Sequence, residues 1–502
     1  MQTAVAIGKY TLESLTTGMY SSPKDLYREY IQNSVDSIDQ AVASSIIKHG
    51  EERISISINT EKHIIEIEDN GISIPAKNAA KILTDIGNSN KIYSNNRGFR
   101  GIGRLAGLSY CDKLTFISSY KGESKTAEVS FDCLKLKQLL IPGQYTDYDL
   151  PRVLAEVTSY KIRQEPSKKH YFKVVLEGVE DIDGILNTME VTDYLSQVAP
   201  LPYDPTTFKW GKELKDKLKI MGHIIGEYAI FIRDGEKEEQ IYKVCKDSFI
   251  TDKVKRITDS IKKLEIHEIK NRDGQVQAYF WYGISNFYGT ILDESMKGVR
   301  LKKGNILIGD KSTLNSIFKE DRFNGWFQGE VFVLDPEIIP NARRDDFEKN
   351  PSYTNLLNEL NKIGGRLSKT IRTVSSSRND KSGKVLNDAE QLIDKAGKLL
   401  EQGFNSKKEK EQLTKELNKY SSDIENAKLL DEFNISRKLD IFKQLSILTN
   451  NVKGATNYKI LNLSQKLSND QKKTLEKVFE VITEDCEKKE ADRLIGEIMK
   501  RF

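Results

Sequence analysis

The stretch at residues 26–39, "LYREYIQNSVDSID", decides how this chain is read. Glu29, Asn33 and Asp36 follow one another at spacings of four and three, which brings them onto one face of a helix. Tyr30, Ile31 and Val35 fill the gaps between them. Asn and Asp are poor choices for a helix interior, because their side chains compete with the backbone for hydrogen bonds. A polar row flanked by apolar residues suggests a polar group docked against that face. Taken alone, the row is equally well an amphipathic helix whose polar stripe meets water.

Working outward, two further stretches bear on the same question. Residues 53–59, "RISISIN", and 63–71, "HIIEIEDNG", alternate apolar and polar residues and read as paired strands with a turn at Thr60–Lys62. The pair ends in "EDNGISI", with Asp69 and Gly71 at a strand exit, where a carboxylate can accept a hydrogen bond from an exocyclic amino group. Residues 97–107, "RGFRGIGRLAG", place Gly98, Gly101, Gly103 and Gly107 before and into a helix. Glycines there let backbone N–H groups approach phosphate oxygens. Each motif has a plain alternative by itself: "DNG" is most often a turn, and a glycine-rich stretch is often only a tight turn.

Order and spacing together carry more. The sequence E-x-x-x-N-x-x-D on a helix, D-x-G after a strand pair, then a glycine-rich loop resembles the GHKL superfamily of ATPases, which includes gyrase, the ninety-kilodalton heat-shock chaperones, histidine kinases and MutL. The resemblance covers roughly residues 10–180 and implies an α+β fold beginning with a Bergerat-type α/β sandwich. It implies ATP as ligand and Mg²⁺ as cofactor. Carried over, Glu29 is the general base that orients the attacking water and Asn33 the Mg²⁺ ligand, with Asp36 the third member of that row in the binding wall. Asp69 reads adenine, and Gly71 lets the base lie close to the backbone. The amides of Gly98, Phe99, Arg100, Gly101, Ile102 and Gly103 cradle the phosphates, and Ser89 and Lys91 contact them from the start of a lid over 75–97. Two positions depart from the pattern. Ser73 stands where the family has a second glycine, and "HYFKVVLEGV" lacks the threonine that many members place beside the adenine-reading carboxylate.

Further along, "IIPNARRDDFEKNP" at 338–351 resembles the middle-domain loop of the heat-shock chaperones, whose arginine reaches the γ-phosphate. Aligned on Asn341 that arginine is Arg344, with Arg343 the neighbouring candidate. The alternative is a salt-bridge cluster with Asp345 and Asp346. The expected organisation is an ATP-binding domain over 1–190 and an α+β middle domain over 200–374. A polar linker follows at 375–384, a coiled coil or helical hairpin at 385–450, and a C-terminal helical segment at 455–502. In the middle domain, "DKVKRITDSIKKLE" reads as a charged helix, and Arg300, Lys302 and Lys303 as either a functional or a solvated face.

Composition narrows the function classes. The net charge of +4, from 78 basic and 74 acidic residues, is near balance and gives no electrostatic case for general nucleic-acid binding. Four cysteines without a C-x-x-C pair argue against a zinc site and a disulfide framework, and fit a reducing, cytoplasmic setting. The N-terminal "MQTAVAIGKYTLESL" does not read as a signal peptide, and no apolar run is long enough to span a bilayer. With no histidine before Glu29, the histidine-kinase branch is set aside. The resemblance therefore implies an ATP-driven clamp of the chaperone kind, acting as a homodimer on a protein client or partner effector. A MutL- or MORC-like ATPase acting on DNA is the rival, and a nucleotide sensor that does not hydrolyse is a third reading.

Overall fold

The computed structural model describes residues 7–16, 18–20, 22–87, 101–254, 257–377, 381–427, 432–456, 458, 467–486 and 488–500. The chain divides into two units, Met1–Gly365 and Arg366–Phe502, each described by itself.

The first unit opens with a short helix, α1 (Thr11–Leu15), and the long α2 (Asp25–Ala43). The sequence suggested that α2 continues to about Lys48. It stops at Ala43, and Ser45 turns the chain with a φ of 56°. The strands β1 (Arg53–Asn59) and β2 (Ile64–Asp69) pair antiparallel with Ile54 opposite Asp69. Their alternation buries Ile54, Ile56, Ile58, Ile65, Ile67 and Asp69. The last of these is a carboxylate at a core-facing position. After α3 (Ala76–Thr84) come β3 (Lys113–Ser119), β4 (Lys125–Asp132), α4 (Cys133–Leu139), α5 (Leu150–Val157), β5 (Thr158–Gln164) and β6 (Tyr171–Glu177). The glycine-rich stretch continues as a 3-10 helix, Gly103–Ser109.

Next follow α6 (Thr188–Val198), α7 (Trp210–Ile220), β7 (Ala229–Asp234) and β8 (Lys237–Gln240). The sequence reading places these two strands in the middle domain. They instead extend the N-terminal sheet, whose order among the described residues is β5-β4-β3-β6-β2-β1-β7-β8. β7 runs parallel to β1, with Ile230 beside Ile54 and Ile232 beside Ile56, and both join the core.

The rest of the unit is built on β9 (Ser248–Asp252), β10 (Ile257–Ser260), β11 (Lys263–Lys270), β12 (Val276–Ile284), β13 (Gly298–Lys303), β14 (Ile306–Leu307) and β15 (Gln328–Val333). The order β11-β12-β15-β13-β14 forms a second sheet. Where it is described, the charged stretch expected as a helix instead ends β9, forms β10 and opens β11. Buried Asp259 holds it by accepting hydrogen bonds from the backbone N–H groups of Ser260, Asn286 and Tyr288. Nor do Arg300 and Lys302 form a solvated face. Both are buried, and Lys302 pairs with Glu330 at 2.7 Å.

Helix α8 (Pro351–Ser377) begins in the first unit, and α9 (Lys381–Gln402) starts four residues after α8 ends. Most of the expected 375–384 linker is thus helical. In the second unit α9, α10 (Lys407–Asn426) and α11 (Glu432–Gly454) each pack against the other two around Leu386, Leu392, Leu413, Leu417, Ile441 and Leu445. This is a three-helix bundle rather than a two-helix hairpin or extended coiled coil. The stretch β-bridged at Phe404 and Tyr458 precedes α12 (Asn469–Asp485) and α13 (Lys488–Lys500), which share a small core of Leu475, Phe479 and Ile495. No described helix is long and apolar enough to cross a membrane.

Candidate functional site

Helix α2 forms one wall of the site. Leu26, Tyr27, Ile31, Val35 and Ile38 are buried in the sheet's core, and Glu29 and Asp36 are buried as well. The polar row is therefore not a wet stripe. Tyr30, which the sequence reading took only as filler, pins the glycine-rich segment to the helix. Its hydroxyl donates to the Arg104 carbonyl at 3.2 Å and accepts from the Gly107 N–H at 3.0 Å. The approach is so close that a Cβ on Gly107 would collide with that hydroxyl, and one on Gly103 would collide with Glu29 Oε2.

The strand exit forms the second wall. Asp69 Oδ1 accepts from the Gly71 N–H at 2.9 Å, and the hydroxyls of Ser34 and Ser37 on α2 also hydrogen-bond its carboxyl. Burial pushes this carboxyl up to about 7, the hydrogen bonds offsetting only part of the desolvation. A Cβ on Gly71 would strike Ser37. Ser34 and Ser37 were legible only as i, i+3 neighbours on α2, and they occupy α2 where the sequence search looked for a threonine on β6. Ser73 settles the other departure from the family pattern. It adopts a φ of 63°, the left-handed region a glycine would favour, and its hydroxyl bonds Ser118 Oγ at 2.8 Å and donates to the Tyr171 carbonyl at 2.9 Å.

The third contribution comes from the loop at 338–351. A bridge between Pro340 and Phe347 closes it, and Arg344 sits at its tip with a φ of 58°. The Arg344 carbonyl accepts from the Gly309 N–H at 2.8 Å, which anchors the tip. Its Nε lies 2.9 Å from Glu29 Oε1. Asp345 engages Asn341 within the loop and Asp346 the Tyr353 hydroxyl on the helix that follows, while Arg344 reaches α2. Arg343 is exposed, and its carbonyl receives a long hydrogen bond, 3.4 Å, from Arg28. Arg28 itself approaches Glu29 Oε1 at 3.8 Å and Asp25 at 3.5 Å, and Tyr194 donates to Asp25 at 2.9 Å. Arg28, Asp25 and Tyr194 are members of this cluster that sequence reasoning did not single out. Both arginines come to Oε1, whereas Oε2 lies against Gly103.

Glu29, Asn33 and Asp36 lie along α2, Gly103 and Arg344 meet Glu29, and Gly71 packs against Ser37 toward the C-terminal half of that helix, while Gly101 and Ile102 directly precede the 3-10 helix. Ser89, Lys91, Gly98, Phe99 and Arg100 lie outside the described residues. A carboxylate held by an arginine beside a side-chain-free backbone suits an anionic ligand, and a buried acceptor beside a glycine suits a flat base with an amino group.

No curated protein matches the chain. Residues 20–159 match the family model described as histidine kinase-, DNA gyrase B-, and HSP90-like ATPase. That span holds α2, the Asp69 turn and the glycine-rich segment, so the N-terminal part of this chain is a GHKL-type ATPase domain.

Proposed function

We propose that the protein binds and hydrolyses ATP and uses the cycle to clamp a partner. The observation that carries this reading is the 2.9 Å ion pair that brings Arg344 to Glu29, more than three hundred residues away in sequence. The site fits the ligand on its own terms. Gly71 and Gly103 leave room that no other residue would leave, and Asp69 offers a buried acceptor at the turn. Asp69 accepts from the adenine amino group in its ionised form. The amides at Gly101–Gly103 hold the phosphates, and Arg344 neutralises charge on the transferring phosphoryl group, an effect of roughly 10³- to 10⁵-fold in enzymes with such an arginine. Glu29 orients the attacking water and receives its proton, with Oε1 held in place by Arg344 so that the carboxylate cannot rotate away. Asn33 is the oxygen donor that would hold Mg²⁺, which would supply positive charge to offset that of the phosphates.

The near-balanced charge supports a protein client over DNA, and the homodimer expected of such clamps would couple closure to partner capture. Calorimetry of the full chain with ATP and Mg²⁺ is the direct test. Binding with slow phosphate release supports the reading, and absence of heat on titration overturns it. Filter retention of DNA at two salt concentrations separates the clamps: steeply salt-dependent retention would move the protein to the MutL or MORC kind.

A further inference from the structure

Arg104 follows the Gly101–Gly103 backbone directly and is assigned no role by the motifs. Its backbone is fixed to α2 through the Tyr30 hydroxyl, and the preceding residue, Gly103, abuts Glu29. Nη2 of the side chain donates to the carbonyl of Asp85, the residue that follows α3. Nε is fully buried and has no hydrogen-bond partner among the described residues. Among the described residues, Asp85 is the one acid whose charge reaches the guanidinium, and the recorded bond there goes to its backbone. Burial accordingly pulls the guanidinium below its usual value.

A largely buried cation with a buried, unpaired donor is costly to keep in a folded protein, since the desolvation of that donor is not repaid. We propose that Arg104 is a phosphate-binding residue, whose missing countercharge is supplied by the triphosphate lying along Gly101–Gly103. The same side chain ties that loop to the residue after α3 through the Asp85 carbonyl. The proposal rests on the ATP reading above and adds to it a side-chain cation beside the backbone amides of the glycine-rich stretch.

The test compares ATP with adenosine on the full chain, by calorimetry, in the unmodified protein and in Arg104→Met and Arg104→Gln. Both substitutions remove the charge, and methionine also tolerates burial. ATP affinity is expected to fall about tenfold in each, the size of one charged hydrogen bond, with adenosine affinity unchanged. The unfolding temperature of Arg104→Met without nucleotide is expected to hold or rise, because an uncompensated charge has left the interior. An unchanged ratio of ATP to adenosine affinity overturns the proposal, as does failure of both variants to fold, which would make the charge structural. If the unmodified protein binds neither compound, it is the ATP reading that fails.

Discussion

Two buried carboxylates in the first unit invite comparison, Glu29 on α2 and Glu330 on β15. Glu330 is enclosed by donors: Lys243 reaches both of its oxygens at 3.1 Å, Lys302 reaches Oε1 at 2.7 Å, and the Tyr203 hydroxyl and Trp281 Nε1 bond Oε2. Burial by itself would raise this carboxyl, but the two lysines and the added hydrogen bonds hold it far below the usual carboxylate range. Burial in turn pushes Lys302 down to about 8. Glu29 is as deeply placed, yet among the described residues the recorded approach of both arginines is to one oxygen, and the other faces a glycine. The difference lies in saturation. A carboxylate with every lone pair engaged is a structural tie and has no capacity left for a proton. One held through a single oxygen keeps its orientation and retains an acceptor for chemistry.

Four measurements would break or sharpen that contrast. The largest effect is expected from Glu29→Ala, which should keep ATP binding and lower phosphate release by about 10²- to 10⁴-fold, the usual contribution of a general base. Normal turnover in this variant would place Glu29 with Glu330 as structure. Glu330→Ala should do the reverse, leaving two lysines buried without an anion and costing about 3–5 kcal/mol in a denaturant titration. A loss below about 1 kcal/mol would show that the cluster is not the tie described here. Arg344→Ala should slow turnover at least about tenfold with ATP affinity little altered, a split between kcat and binding that a merely structural loop would not produce.

The smallest effect concerns pH. Because burial raises Asp69 to about 7, its carboxyl is ionised above that value and gains a proton below it. Adenine's amino group needs the ionised form as acceptor, so ATP affinity should be full above pH 7 and fall by up to about tenfold per unit below it. Bound nucleotide stabilises the ionised form, which moves the fall to lower pH in saturated protein. Titration calorimetry between about pH 6 and 8 reads this directly, and a flat profile would show that Asp69 stays ionised throughout.

The motifs around the site were legible because the chemistry fixes residue types at short spacing. Glu29, Asn33, Asp69 and the glycines are recognisable without knowing the fold, and the alternation in 53–71 gives β1 and β2 directly. Arg344 was legible only through likeness to a known loop. The supporting shell was not, since Tyr30, Ser34 and Ser37 look like ordinary helix residues until the turn at Gly71 and the 3-10 helix arrive against them. Long-range pairing was equally silent. Nothing local in "AIFIRD" says that it lies parallel to "RISISIN". The stretch before β11 misled for a clear reason: its lysines suggest a solvated helix, whereas the decisive residue is one aspartate that closes three backbone donors.

The placement of β7 next to β1 has a practical consequence for dissecting the molecule. A fragment cut near residue 190, where the motifs end, would strip two strands from the sheet and bare the backbone edge of β1 together with the side chains that Ile230 and Ile232 cover. Such a piece would tend to stick to itself through that edge. A cut beyond Ile241, which belongs to the same core, keeps the N-terminal sheet whole.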